Sequence, residues 1–147
     1  MTREELQVRY QQCFQGLDEK DLPPQTKFKK GKVRDIVDLN DELLIMTSDR
    51  ISAFDRVLGL VPCKGEVLHR LSVFWFNKTK DIIENHLKQT IGSRTIVVKK
   101  CEILPVEVVV RAYLTGSAYR DYQAGKTVSG ITLPRGMQFN QAFDKPI

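Results

Sequence analysis

No stretch of this 147-residue sequence is apolar for long enough to cross a bilayer. None near its start resembles an export signal either, because Met1 leads straight into Thr2-Arg3-Glu4-Glu5. The expectation is a cytoplasmic protein with no membrane partner. Cysteine is scarce, and Cys13, Cys63 and Cys101 lie far apart. That spacing argues against a disulfide framework or a zinc knuckle and predicts buried, reduced thiols. His69 and His86 have no partner at metal-ligand spacing and fall where the sequence reads as helix. Internal repeats, low-complexity linkers and a Gly-x-x-x-x-Gly-Lys phosphate loop are all absent.

The sequence does carry charge of both signs, with 23 Lys and Arg against 18 Asp and Glu, for a formal net charge of +5. A basic surplus suits anionic ligands but does not choose among nucleic acid, nucleotide phosphates and small acidic metabolites. The length allows one compact domain, or a small lobe and the start of another, with a core that needs no cross-links.

Thr2 and Glu5 make a capping-box pattern, and Leu6, Tyr10, Cys13, Phe14 and Leu17 recur at helical spacing. A helix over residues 3–16 is predicted, its aromatic stripe packed in the core. Between Lys27 and Thr47, Val33, Val37 and Leu39 fall on one side of an extended segment and Leu43 to Met46 form a short apolar run, with Asn40-Asp41 between them as a tight turn, which predicts a hairpin. Residues 48–55 have no clean period and read as an ordered loop, whereas 57–61 read as a short strand ended by Pro62. Residues 66–87 predict the longest helical stretch, with Leu68, Leu71, Trp75, Ile82 and Ile83 as its apolar stripe and a candidate break around Asn77. Two β-branched runs, 95–99 and 106–110, predict strands on either side of Pro105. A helix from Ser117 to Gly125 and an irregular tail follow. Strands and helices in this order predict an α+β fold rather than a doubly wound sheet.

Three segments hold the residue types that chemistry needs. In Lys27-Phe28-Lys29-Lys30-Gly31-Lys32-Val33-Arg34-Asp35, Lys32 and Arg34 share a face if the chain is extended, beside a glycine that admits close approach. They suit phosphate oxygens, although a basic run is also what a solvated face or a nucleic-acid patch looks like. Ser48-Asp49-Arg50-Ile51-Ser52-Ala53-Phe54-Asp55 concentrates two carboxylates, a guanidinium and hydroxyls, fitting either a polar-metabolite site or an internally paired turn. Pro105 to Arg111 leads into Leu114-Thr115-Gly116-Ser117. Arg111 with Ser117 and the first N–H groups of a helix would make an anion site. The competing reading is a buried Glu107–Arg111 pair with Ser117 as N-cap.

Taken together, Gly31-Lys32-Val33-Arg34-Asp35, Asp49 to Asp55, Lys64-Gly65, Ser72 to Phe76, Pro105 to Arg111 and Leu114 to Ser117 resemble the phosphoribosylaminoimidazole-succinocarboxamide synthase family, over about residues 28–147. The resemblance implies an ATP-dependent carbon–nitrogen ligase of purine biosynthesis. It would join L-aspartate to carboxyaminoimidazole ribotide through an acyl phosphate, with Mg2+ in the complete enzyme. It also implies an antiparallel nucleotide-binding lobe like a protein-kinase small lobe over residues 27–103, after a helix and linker at 1–26. A second α+β lobe would begin at 104–147. Carried to matching positions, Lys32 and Arg34 would meet ATP phosphates, and the segment around Lys100 and Cys101 would pass the adenine edge. Arg111 and Ser117 would hold the ribotide phosphate, while Asp49, Arg50, Ser52 and Asp55 would border the substrate. No metal ligand or catalytic residue is assigned within the chain. Residues 143–147 match a point near the middle of the family's sequence. The expectation is therefore an incomplete N-terminal portion, whose partner is a C-terminal half or a second copy. The competing class is a non-catalytic anion- or partner-binding remnant. A nucleic-acid binder fits less well, because the basic residues alternate with acidic motifs and no aromatic-basic RNA motif is present.

Overall fold

The computed structural model describes residues 2–147, and Met1 and the side chain of Leu6, part of the predicted helical stripe, lie outside the described residues. The chain divides into two units, one running through Glu102 and the other Ile103–Ile147.

In the first unit, helix α1 (Arg3–Gln11) starts at the predicted capping box: Thr2 Oγ1 accepts the Glu5 N–H, and the Glu5 carboxylate accepts the Thr2 N–H. It stops earlier than its periodicity suggests. Beyond it, the Phe14 and Leu17 N–H groups donate to the carboxylates of Asp49 and Asp35 at 2.9 and 2.8 Å, and tertiary contacts override the helical pattern. Val8 and Tyr10 are exposed, so α1 contributes no aromatic core stripe.

Strands β1 (Lys27–Lys30), β2 (Arg34–Asp38), β3 (Glu42–Thr47), β6 (Leu87–Ile91) and β7 (Thr95–Lys99) form one antiparallel sheet in the order β1-β2-β3-β7-β6. The predicted hairpin is β2–β3, with Leu44 opposite Val37. An additional strand, β1, precedes it. Residues 95–98 on β7 are buried on both faces, as an inner strand of β-branched residues should be. The predicted loop at 48–55 contains a strand instead: β4 (Arg50–Ala53) pairs with β5 (Arg56–Leu60) across a tight Phe54-Asp55 tip. Its short alternation was hidden by the charged residues.

Helix α2 (Lys64–Thr79) ends close to the break expected around Asn77 and does not continue to residue 87. The Asn85 side chain donates to the Phe76 carbonyl at 3.0 Å, a cap that ends the helix and turns the chain toward β6. Its inner face is also not the predicted one. Gly65 and His69 are buried and Leu68 half-buried, whereas Leu71, Trp75, Ile82 and Ile83 are exposed. Small and polar residues let α2 lie close to the sheet. Burial, followed by the nearby charge of Arg70, holds the His69 imidazole below its ordinary pKa.

The second unit has one helix, α3 (Gly116–Gln123), and a small core of Leu114, Ala118 and Val128 packed by Tyr119, Tyr122 and Leu133. The predicted strand at 106–110 does not form, and Val106, Val108, Val109 and Val110 are all exposed. A β-branched run needs a neighbour to ladder with, and pairing begins only at Arg111. Arg111 exchanges N–H···O bonds of 2.8 and 3.0 Å with Ile147, and Tyr113 bridges Ala142. The shared face expected for Glu107 and Arg111 is therefore lost.

Gly65 gives a direct test of how α2 seats on the sheet. A Cβ there would lie 2.6 Å from the Thr47 carbonyl oxygen and 2.8 Å from that of Ser48. Both are backbone atoms that cannot swing aside. Gly65→Ala is expected to lower the unfolding free energy in urea by about 1–3 kcal/mol. Gly59→Ala, with open space around the new methyl, should be nearly neutral.

Candidate functional site

Ser48, Asp49 and Arg50 are three consecutive buried polar residues. Burying them requires that every polar atom be satisfied. Asp49 Oδ1 accepts from the Gly65 N–H and Arg94 Nη1, each at 2.8 Å, while Oδ2 accepts from the Phe14 N–H at 2.9 Å and Arg94 Nη2 at 3.1 Å. Burial raises the pKa of this carboxyl, but the Arg94 pair and the two backbone N–H groups outweigh it and hold the group below its ordinary value. Ser48 Oγ donates to the Val33 carbonyl at 2.8 Å. Arg50 pairs with the fully buried Asp35 at 2.6 Å. Of the two readings of this segment, internal pairing describes Asp49 and Arg50 as they stand here. Arg94 and Asp35 complete the arrangement, and neither had been assigned a role from sequence. Arg94 lies in no motif. Asp35 could have been found as the only acid in a basic run.

The outer residues of the same region differ. Lys32 is not in an extended strand, because it sits in the turn between β1 and β2. The Gly31 N–H donates to the Arg34 carbonyl at 2.8 Å, and a side chain at Gly31 would collide with that oxygen. Lys32 Nζ reaches Asp55 Oδ1 at 2.5 Å, with 61% and 87% of the two side chains exposed. The hydrogen bond from Lys32, then its charge, holds the Asp55 carboxyl below the ordinary range. Two predicted site residues thus meet, one from each turn. Arg34 opens β2 with its guanidinium exposed and unpaired among the described residues. Ser52 lies half-buried on β4, opposite Val57. Phe54 and Asp55 both take left-handed backbone, with φ of 50° and 61°, at the hairpin tip. Lys100 Nζ is tied to Asp38 at 2.6 Å, whereas the backbone N–H and C=O of Cys101 make no hydrogen bond among the described residues.

In the second unit, Arg111 Nη2 approaches Ser117 Oγ at 3.3 Å, and its Nε is buried without a partner. Ser117 lies inside the first turn of α3. The N-cap is Thr115, which makes no side-chain cap bond, so no N-cap side chain satisfies the first N–H groups of the helix. The alternative pairing of Arg111 with Glu107 is not made.

This is an α+β protein built on an antiparallel sheet, in which the exposed Lys32 on the β1–β2 turn lies over the buried Arg50–Asp35 pair. The SAICAR synthetase family profile matches residues 27–147. Phosphoribosylaminoimidazole-succinocarboxamide synthases of Desulfosudis oleivorans and Legionella pneumophila are 42% and 46% identical over 86% and 89% of the chain. The SAICAR synthase of Saccharomyces cerevisiae, solved with SAICAR, superposes over 86% of the chain with a TM-score of 0.78 at 33% identity. A type-2 SAICAR synthetase solved with ADP gives 0.65 at 25% identity, over 82% of the chain. The chain belongs to the SAICAR synthetase family. It spans about half the length of the curated relatives it matches, 49% of the first and 43% of the second.

The Asp49–Arg94 pair makes a measurable demand. Arg94→Ala leaves a buried carboxylate without its cation, and such a loss costs about 3–5 kcal/mol of stability in denaturant titration. Because the Asp49 pKa is depressed in the folded chain, its stabilisation is complete above the ordinary carboxylate value of 3.8 and is lost as pH falls through the lower folded value. Acid unfolding of Arg94→Ala should therefore begin at higher pH than in the parent chain.

Proposed function

We propose that this chain forms the ATP- and ribotide-contacting part of a phosphoribosylaminoimidazole-succinocarboxamide synthase. That ligase phosphorylates the carboxylate of carboxyaminoimidazole ribotide and lets the amine of L-aspartate displace the phosphate. The observation that carries the reading is Arg111, whose buried Nε lacks a partner beside Ser117 and a helix N-terminus without a side-chain cap. A buried unsatisfied N–H is costly, and a phosphate oxygen supplies the missing acceptor. The five-stranded sheet with α2 is read as the nucleotide-binding lobe, of the kinase small-lobe kind, over 27–103. Residues 104–147 are read as the start of a second lobe that takes the ribotide.

In this reading Lys32 and Arg34 neutralise ATP phosphate oxygens. The unpaired backbone of Cys101, next to Lys100, meets the adenine edge. Ser52 and Asp55 face the substrate from the β4–β5 hairpin, whereas Asp49 and Arg50, whose polar atoms are taken up inside the fold, make no contact with it. Among the described residues no three His, Cys, Asp or Glu side chains gather into a preformed metal site; Mg2+ is usually held by one or two carboxylates together with the substrate's phosphates, and no step is assigned to it. A second reading, a partner-binding module that takes a C-terminal half or a second copy, is favoured by one feature. Val67, Leu71, Phe74 and Trp75 form an exposed apolar row along α2.

Two substitutions test the assignments in calorimetric titrations. Lys32→Ala should weaken ATP binding by about 1.5–3 kcal/mol, the worth of a charge-assisted contact. Unchanged affinity in a folded variant would remove the nucleotide assignment. Arg111→Lys keeps the charge but loses the planar fork, and it should weaken ribotide binding by at least about 1.5 kcal/mol while leaving ATP binding alone. If lysine at this position binds the ribotide as tightly as arginine does, the phosphate cradle is not there.

A further inference from the structure

Arg50 has been placed beside the substrate by family resemblance alone, and its surroundings suggest a different role. A guanidinium carries five N–H donors in a rigid plane. In Arg50, Nε donates to the Lys32 carbonyl at 3.1 Å, and Nη2 donates to the Gly31 carbonyl at 3.0 Å and to Asp35 Oδ1 at 2.6 Å. Nη1 donates to the Gln15 carbonyl at 2.5 Å and to Asp35 Oδ2 at 3.3 Å. All five donors are in use within the protein. Its side chain is only 6% exposed, and that of Asp35 is fully buried.

We propose that Arg50 is a positioning residue: it holds the carbonyls of Gly31 and Lys32 inward, so that the Lys32 side chain presents to phosphate, and it does not itself contact a substrate. The proposal rests on reading Lys32 as an ATP-phosphate contact. Its physical basis is orientation. A turn of three residues between β1 and β2 has its own choice of peptide orientations. A carbonyl rotated outward would set its partial negative charge against the phosphates that Lys32 is meant to attract. Arg50 removes that freedom, because two adjacent carbonyls are bound to two nitrogens of one rigid group. Asp35 orients the guanidinium in turn. It is fixed by the same strand pairing that closes the turn, since it lies opposite Lys30 in the β1–β2 register. Lysine could keep the positive charge near Asp35, but it has no plane with which to span two carbonyls.

The experiment is a double-substitution cycle on the 147-residue chain, with ATP and the ribotide titrated separately and folding followed by circular dichroism. Arg50→Lys should weaken ATP binding about tenfold, roughly the loss of one charge-assisted hydrogen bond's worth of orientation, and leave ribotide affinity unchanged. In a Lys32→Ala background, Arg50→Lys should weaken ATP binding little further, because its effect runs through Lys32. A merely structural role would weaken both ligands, and in both backgrounds. If Lys32→Ala weakens ATP binding and Arg50→Lys does not, the inference falls and the nucleotide assignment stands. If Lys32→Ala has no effect, both fall. Should Arg50→Lys fail to fold, the parent chain decides by nuclear magnetic resonance. The Arg50 Nε–H should stay protected from solvent exchange and unshifted at saturating ribotide, while ATP shifts the Gly31 and Lys32 amides. An Nε–H that moves and loses protection when the ribotide binds would show a direct contact and overturn the proposal.

Discussion

The first unit depends on the cost of burying charge. Two carboxylates and two guanidiniums are drawn into or against its interior, and such groups are tolerated only when each is paired and hydrogen-bonded. Asp49 has both oxygens filled by Arg94, Phe14 and Gly65. Arg50 has all its donors filled by Asp35 and three carbonyls. Meeting these demands recruits the exit of α1, the β1–β2 turn, the start of α2 and the β6–β7 turn, none of them adjacent in sequence. The Thr47 N–H also donates to the Arg94 carbonyl at 2.9 Å, which joins the backbone of that turn to the end of β3. The apolar core of the unit is small, with Val37, Ile96, Val97 and Val98 as its buried members. The polar network therefore fixes which segments lie side by side, a specificity that dispersion among a few β-branched residues does not supply.

How much could be read from the sequence follows from whether each signal was local. The capping box at Thr2, the β2–β3 hairpin around Asn40-Asp41, strand β7 and the helix after Thr115 all rest on residues a few positions apart, and all are present. The end of α1 was not legible, because it is set by Asp35 and Asp49, both more than fifteen residues away. The inner face of α2 was misread because a buried Gly65 and His69 do not look like a core stripe. The valines at 106–110 have strand propensity but no neighbour, and propensity without a ladder yields no strand. The candidate site divides in the same way. The cations Lys32, Arg34 and Arg111 could be picked out by type and spacing, whereas Arg94 could not, since its importance lies wholly in a partner 45 positions earlier.

The same division separates residues open to solvent from residues enclosed by the fold. Asp49 and Arg50 stand in the motif next to Ser52 and Asp55, yet they lie on the inside of the fold, and the other two lie on a hairpin open to solvent. A motif of this kind records two constraints written into one stretch of chain. Its first half satisfies the interior. Its second half, ending at a Phe54-Asp55 tip held in left-handed backbone without a glycine, carries local strain of the sort that persists where the surroundings over-determine it.

The cations proposed to meet phosphate fall into two electrostatic states. Lys32 is paired with Asp55, and Lys100 with Asp38, in bridges that stay largely or partly open to water. Arg34 has no partner among the described residues, and Arg111 has one uncharged contact and an orphaned Nε. Exposed bridges of the first kind are worth little, about 0–1 kcal/mol, because water screens them and two side chains lose freedom to hold them. A phosphate, with more charge and more acceptor oxygens than one carboxylate, can take Lys32 from Asp55 at small cost. The β1–β2 turn and the β4–β5 hairpin are joined through this one surface ion pair, while the buried Arg50 binds the carbonyls of the turn from beneath.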